Sequence, residues 1–501
     1  MALRAVYRRA AVRSIPFWTF GPSGRPNPYL ALRLTPMPAP CRPAATGLGK
    51  DAQAMKEETS SARRQGVVLV ANPVLGDARV RKGAFALSRT TLRAVVVGYG
   101  SRGRTDATVE GLPLEVVERP VLVGAVLEEA KRRVPSATTG GKEKRWHWAP
   151  SVSLIARRIL LLKAREYGTS IGYRFVAWQL SRHVARMRPT LIHAHDIVAL
   201  LAALRCKRND PRLRVVWDAH ELYTELEYKS PAMSRYIDRF LKRAAPSVDG
   251  FVTINRSIAD LYAKRYPALP PATIVMNATR RTATDFSDDG RLRQAAGVSQ
   301  AQKVLLFQGG LSRGRGIDAM LEAAATLPQE WTMVFMGNGA MEAAIEEAAR
   351  RLNPARPEGS PVIARIGPAP YDELAHWTAG ADLGAIPYEN TSLNHLYCTP
   401  NKLWEYPNAG VPILATDLEE MGTFVRKHGI GVLLPRTFTG ADIVQALERV
   451  SDAELNAMRQ ACDRFNEVEN WECYEPRLLE LYRSLGVEGM GEAAEPVGKA
   501  P

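Results

Sequence analysis

The run from Phe307 to Leu321, FQGGLSRGRGIDAML, sets four glycines and two arginines between an apolar stretch and a helix-like one. Gly309, Gly310, Gly314 and Gly316 let backbone come close to a ligand. A helix beginning after Gly316 offers unpaired N–H groups and the positive end of a dipole. The guanidiniums of Arg313 and Arg315 match phosphate geometry. The set suits a diphosphate, although a plain turn with two surface arginines has the same composition. Gly337, Asn338 and Gly339 repeat the arrangement after a second apolar run. A third junction, TPNKLWEYPNAG, brings Thr399, Asn401 and Lys402 to a helix start, with Glu405 three residues on. Pro400 has no N–H but is pre-set for a first turn. Lys402 has the reach for a phosphate, and a carboxylate at Glu405 is able to accept from the two vicinal hydroxyls of a ribose. The alternative is a solvated Lys–Glu pair on a helix face. Elsewhere His193, His195 and His220 fall at the ends of two apolar runs, in HAHD and DAHE. Their tunable charge suits contact with a sugar hydroxyl or proton transfer.

Two series of elements must position these groups. GVVLVAN, LRAVVVGYG, TLIHAHD, RVVWDAHE, GFVTIN and TIVMNA alternate with helical patterns; so do KVLLFQGG, WTMVFMGNG, PVIARIG, DLGAIPY and VPILATD. Such alternation implies βαβ units and parallel sheets. The chain reads as α/β, with two doubly wound domains at 66–280 and 281–470. Ligands of such sheets bind at the carboxyl ends of the strands, here in the cleft between the two units. A helical segment at 471–486 is expected to pack back on the first domain, and 487–501 is a tail.

Composition excludes several classes. No run approaches the ~18 unbroken apolar residues of a membrane-spanning helix. The five cysteines have no metal-ligand spacing and do not form an even set, so no metal site is expected and the reading is cytoplasmic. Of the net charge of +15, residues 1–50 hold eight Lys or Arg and no acid. Residues 1–65 read as a basic, Pro-rich extension with little order; Met55 is an alternative start. A second basic segment, Trp146 to Pro189, interleaves Trp146, Trp148 and Trp178 with arginines. It fits either an anionic membrane surface at the inner face of a membrane or a helix whose cations form a solvated face. No nucleic-acid-binding module is evident.

These segments resemble family 4 of the retaining glycosyltransferases, whose GT-B fold places two Rossmann-like domains across a cleft. The most specific piece is TPNKLWEYPNAGVPILATD, which looks like the family's donor-site segment. The resemblance implies that Glu405 binds the donor ribose and that Thr399, Asn401 and Lys402 lie near the diphosphate and sugar. GGLSRGRGID resembles the diphosphate loop, with Gly310 where an arginine is usual and Arg315 where a lysine is usual; Arg313 is the other charge there. ANPVLGDARVRK resembles the first loop and brings Gly76, Asp77 and Arg79 toward donor or acceptor. VVWDAHELY resembles the segment with the active-site histidine, His220, with His195 on the acceptor side. RIGPAP resembles the strand end that holds the base, around Ile366. Tyr397 stands where the family often has the first of two acids. The implied activity is transfer of a sugar from a nucleotide-diphosphate donor to an acceptor hydroxyl with retention, without metal or other cofactor. The acceptor would be a glycan or a lipid-linked molecule, in cell-surface glycan, polysaccharide or glycolipid synthesis. A non-catalytic nucleotide-sugar binder and an epimerase of the same fold are the alternatives.

Overall fold

The computed structural model describes residues 64–74, 76–100, 108–118, 170–226, 229–281 and 288–487. The basic extension 1–63, Trp146 and Trp148, and the tail 488–501 lie outside them.

Short runs of Val, Ile and Leu with no polar alternation become strands buried on both faces. In the first domain these are β1 (Gln65–Leu69), β2 (Arg93–Gly100), β3 (Thr108–Val109), β4 (Leu112–Glu118), β5 (Leu191–His195), β6 (Arg214–Ala219), β7 (Gly250–Thr253) and β8 (Ala272–Ile274). Their order is β3-β4-β2-β1-β5-β6-β7-β8, parallel except for the β3–β4 pair. The second sheet comprises β9 (Lys303–Gln308), β10 (Trp331–Met336), β11 (Ile363–Ile366), β12 (Leu383–Ile386), β13 (Ile413–Thr416) and β14 (Gly431–Leu434). Its order, β11-β10-β9-β12-β13-β14, is wholly parallel. Both sheets reverse direction of growth beside their first strand, at β1/β5 and β9/β12. Such a switch point opens a crevice at the carboxyl ends of the strands.

Helices cover the faces. Those used below are α1 (Ala78–Ser88), α2 (residues 170–187), α3 (Asp196–Asn209), α4 (Pro231–Ala244), α5 (Lys402–Asn408) and α6 (Trp471–Ser484). Asp77 caps α1 by accepting from the N–H groups of Arg79 and Val80. The chain leaves the first domain after β8 and returns at Asn470–Trp471, where the Trp471 N–H donates to the Thr279 carbonyl at 2.8 Å. α6 then packs on α1 and β8. Trp471, Leu478 and Tyr482 are fully buried there, in a core that also holds Val68 of β1 and Trp404 of α5.

Candidate active site

A cavity of about 810 Å³ lies at the carboxyl ends of both sheets. The first domain contributes Gly76, Asp77, Arg79, His220, Glu221 and Asn277. The second contributes Gln308, Gly309, Gly310, Arg315, Gly337, Asn338, Tyr388, Thr399, Asn401, Lys402 and Glu405.

The glycine turn after β9 is built for close approach. Gly309 has φ +103° and Gly337 φ +148°, and a Cβ on Gly337 would collide with the Gly309 carbonyl. A Cβ on Gly309 would meet Lys402 Nζ at 3.4 Å; one on Gly310 would meet Arg315 Nη1 at 3.5 Å. Two cations thus flank one bare turn. Lys402 is buried, donates to the Tyr388 hydroxyl at 3.2 Å and lies over the Phe307 and Tyr388 rings. Arg315 also lies over the Tyr388 ring. Among the described residues no carboxylate is ion-paired with either. A buried ammonium with one phenol for three donors leaves capacity for an anion.

Glu405 does not pair with Lys402. Its Oε2 accepts from Gln308 Nε2 at 3.0 Å, and Gln308 is held in turn by Thr378. Burial raises the Glu405 pKa against the opposing pull of Lys402, Gln308 and Lys82. Carboxylate and ammonium therefore face the same cavity from one helix turn, each with its own partner. Thr399 is buried, its carbonyl accepting from Asn277 Nδ2 at 3.0 Å, so a first-domain side chain pins the second domain's loop.

Across the cavity stands His220. Behind it is a buried polar cluster that strand geometry dictates. His193 and His195 are two apart on β5 and share a face; Asp218 of β6 pairs in register with His195. His195 Nδ1 lies 3.0 Å from His220 Nε2, and His193 Nδ1 lies 2.6 Å from the Tyr482 hydroxyl of α6. Arg79 holds both oxygens of Asp218, at 2.9 and 3.0 Å, and donates to the Val275 and Met276 carbonyls. Burial opposes the Asp218 charge, yet Arg79 and the histidines hold its pKa well below the carboxylate range. Burial lowers the pKa of His195 and of His220. His193, His195 and Asp218 are spaced closely enough to hold a metal ion. The guanidinium on both Asp218 oxygens occupies the one anionic ligand of that set, so the cluster fits an ion poorly.

Three expected residues, Arg313, Ile366 and His195, lie off the cavity wall, and Tyr397, the departure from the family pattern, lies off it too. The Arg313 side chain is 83 % exposed, extends toward Asp318 and does not line the cavity; turn geometry gives that place to Arg315 alone. Ile366 is buried, its carbonyl accepting from the Gly337 N–H, and Pro368 and Ala369 form the wall instead. His195 is fully buried behind His220. Tyr397 packs on the first domain's core, with its carbonyl accepting from Asn255 at 2.7 Å. Gln308, Tyr388, Asn277 and Tyr371 were not expected. Gln308 carried a readable signal: a polar residue closing an otherwise apolar strand, at its carboxyl end.

Residues 138–278 match the family described as Glycosyltransferase Family 4, and residues 302–452 the family described as Glycosyl transferases group 1. The chain is 28 % identical over 225 residues to D-inositol 3-phosphate glycosyltransferase of Corynebacterium urealyticum, covering 42 % of this chain and 50 % of that one. It is 29 % identical over 209 residues to the same-named protein of Thermobispora bispora, covering 38 % and 45 %. The chain thus spans about half the length of the curated relatives it matches. Among solved structures, sucrose-phosphate synthase of Thermosynechococcus elongatus superposes with a TM-score of 0.59 at 14 % identity, over 84 % of this chain and 99 % of that one. Anabaena HepE in complex with UDP and glucose gives 0.58 at 14 %, over 84 % and 100 %. One family match falls on each sheet, together they span more than half of the chain, and the chain belongs to family 4 of the glycosyltransferases, with the GT-B architecture.

Proposed function

We propose that this protein transfers a sugar from a nucleotide-diphosphate donor to an acceptor hydroxyl, with retention and without a metal ion. One observation carries the reading. Two cations with no carboxylate ion pair among the described residues flank a bare glycine turn, a carboxylate lies one helix turn away, and a histidine faces them across the cleft. In this reading Glu405 takes the ribose hydroxyls, and Arg315 and Lys402 meet the charge that builds on the leaving diphosphate. Gly337 and Asn338 border the same pocket. His220, neutral through burial, meets a sugar or acceptor hydroxyl. Its Nε2 is engaged by His195, so its ring orientation is set from behind. Of the cavity's three carboxylates, Asp77 is spent on capping α1 and Glu405 on the ribose, which leaves Glu221 as a single acid. That leaves no paired nucleophile of the glycosidase kind and favours attack from the face the diphosphate leaves.

The acceptor is a glycan or lipid-linked molecule in cell-surface glycan, polysaccharide or glycolipid synthesis, met by a cytoplasmic protein at an anionic membrane. UDP is the first nucleotide to test, because HepE was solved with it, and an inositol phosphate is the first soluble acceptor, from the names of the relatives. The test is a thermal-shift screen of nucleoside diphosphates, followed by turnover of the matching sugar nucleotides by wild type and Glu405→Ala. Product anomers are read by NMR, with and without chelator. Retained configuration, chelator-resistant turnover and its loss in Glu405→Ala are expected. Nucleotide binding without turnover on any common donor would leave a non-catalytic binder and overturn the reading.

A further inference from the structure

A second recess lies on the first domain, away from the cleft. It has a volume of about 640 Å³ and lies between α3, α4 and α2. Helix spacing explains its lining. Leu201, Leu204, Arg205 and Arg208 are i, i+3, i+4 and i+7 on α3; Tyr236, Arg239, Phe240 and Arg243 repeat that pattern on α4. Each helix therefore turns a stripe of apolar and cationic residues toward the other. Arg174 of α2 and Lys207 complete the set. The recess holds six cations and no acid. Lys207 is paired with Asp249, but no carboxylate pairs with the five arginines among the described residues. The floor is apolar and the rim basic.

The neighbouring helix adds an independent observation. Six large apolar side chains are exposed among the described residues, and three of them, Ile171, Phe175 and Trp178, stand on two turns of α2. They flank Arg174 on the same outward face, while Ala177, Leu180 and Val184 bury the other. Trp178 lies beside Phe175 and under Arg182. Exposed arginines are solvated, but three exposed apolar side chains grouped on one helix face leave apolar area in water. Side by side, the two are suited to a surface that takes apolar groups and carries negative charge together.

We propose that the α3–α4 recess with the outward face of α2 is the surface by which this protein docks on an anionic phospholipid bilayer. The arginines would meet lipid phosphates, and Ile171, Phe175 and Trp178 would enter the interface. A soluble polyanion would satisfy the arginines but give the three apolar side chains nothing. This rests on the reading that the acceptor is membrane-proximal, and not on sugar transfer.

The test is flotation of the full chain with vesicles of phosphatidylcholine containing phosphatidylglycerol, against phosphatidylcholine alone, at low and high salt. Wild type is expected to float only with the anionic vesicles, and less at high salt. Arg205→Glu/Arg208→Glu/Arg239→Glu is expected to lower the bound fraction about tenfold, and Phe175→Ser/Trp178→Ser to lower it at both salt concentrations. Both variants keep the wild-type circular dichroism and the wild-type response to nucleoside diphosphates. Failure of wild type to float, or undiminished flotation of the charge-reversed variant, overturns the proposal. So does variant-sensitive binding of RNA or polyphosphate without flotation. A chain that floats but binds no nucleotide would instead overturn the transferase reading alone.

Discussion

Glu405 and Lys402 sit three residues apart on one helix and answer to different partners, Gln308 and Tyr388. That separation predicts separable losses. Lys402→Met should weaken UDP at least tenfold while leaving uridine unchanged, whereas Glu405→Gln should weaken both, as isothermal titration will show; each loss is about 1.5–3 kcal/mol, the worth of a hydrogen bond to a charged group. Arg79→Met strands the buried Asp218 carboxylate and should cost about 3–5 kcal/mol in chemical denaturation. Lys82 gives a pH signature. Burial, reinforced by Arg79, lowers its pKa from 10.5 to about 7. The unfolded chain then binds the extra proton between pH 7 and 10.5, so stability rises with pH across that window, by up to about 1.4 kcal/mol per pH unit. Stability curves of wild type and Lys82→Met should diverge there and run parallel below pH 7. Residue types marked the site well wherever charge met glycine, as at Lys402, Glu405 and Arg315. They failed where only geometry decides: Arg313 and Arg315 differ by one residue around a turn, and one leaves the cavity.

At the scale of elements, the apolar strands were legible because parallel strands buried on both faces carry unbroken Val, Ile and Leu. The exceptions were β4, its two-residue partner β3, and β14. β4 reads LPLEVVE and is half exposed near the sheet edge, with Pro113, Glu115 and Glu118 breaking the pattern. β14 has only four residues, three of them partly exposed. None of the three carries enough buried surface to stand out in the chain. Gly337 marks the element that matters most for the site, since its φ of +148° and its contact with the Gly309 carbonyl exclude any side chain. Gly337→Ala should cost about 1–3 kcal/mol and abolish the nucleotide-induced rise in melting temperature. A variant that keeps this rise would show that the turn does not shape the pocket.

For the whole molecule, the connection between domains runs through two segments laid side by side, joined where Trp471 donates to Thr279. A double crossing of this kind is suited to act as a hinge for closing and opening. Small-angle scattering should show a smaller radius of gyration with UDP than without. No run of single-sequence periodicity shows that α6 belongs to the first sheet, because the contact is between residues hundreds of positions apart, Tyr482 on His193 and Glu475 on Arg89. The same arrangement has a consequence for synthesis. On the ribosome, β1 to β8 emerge early, yet the helix that seals their core comes only after the entire second sheet. The first domain is the last to be finished, and until then its buried histidines and the apolar flank of β8 stand open to whatever the cell supplies.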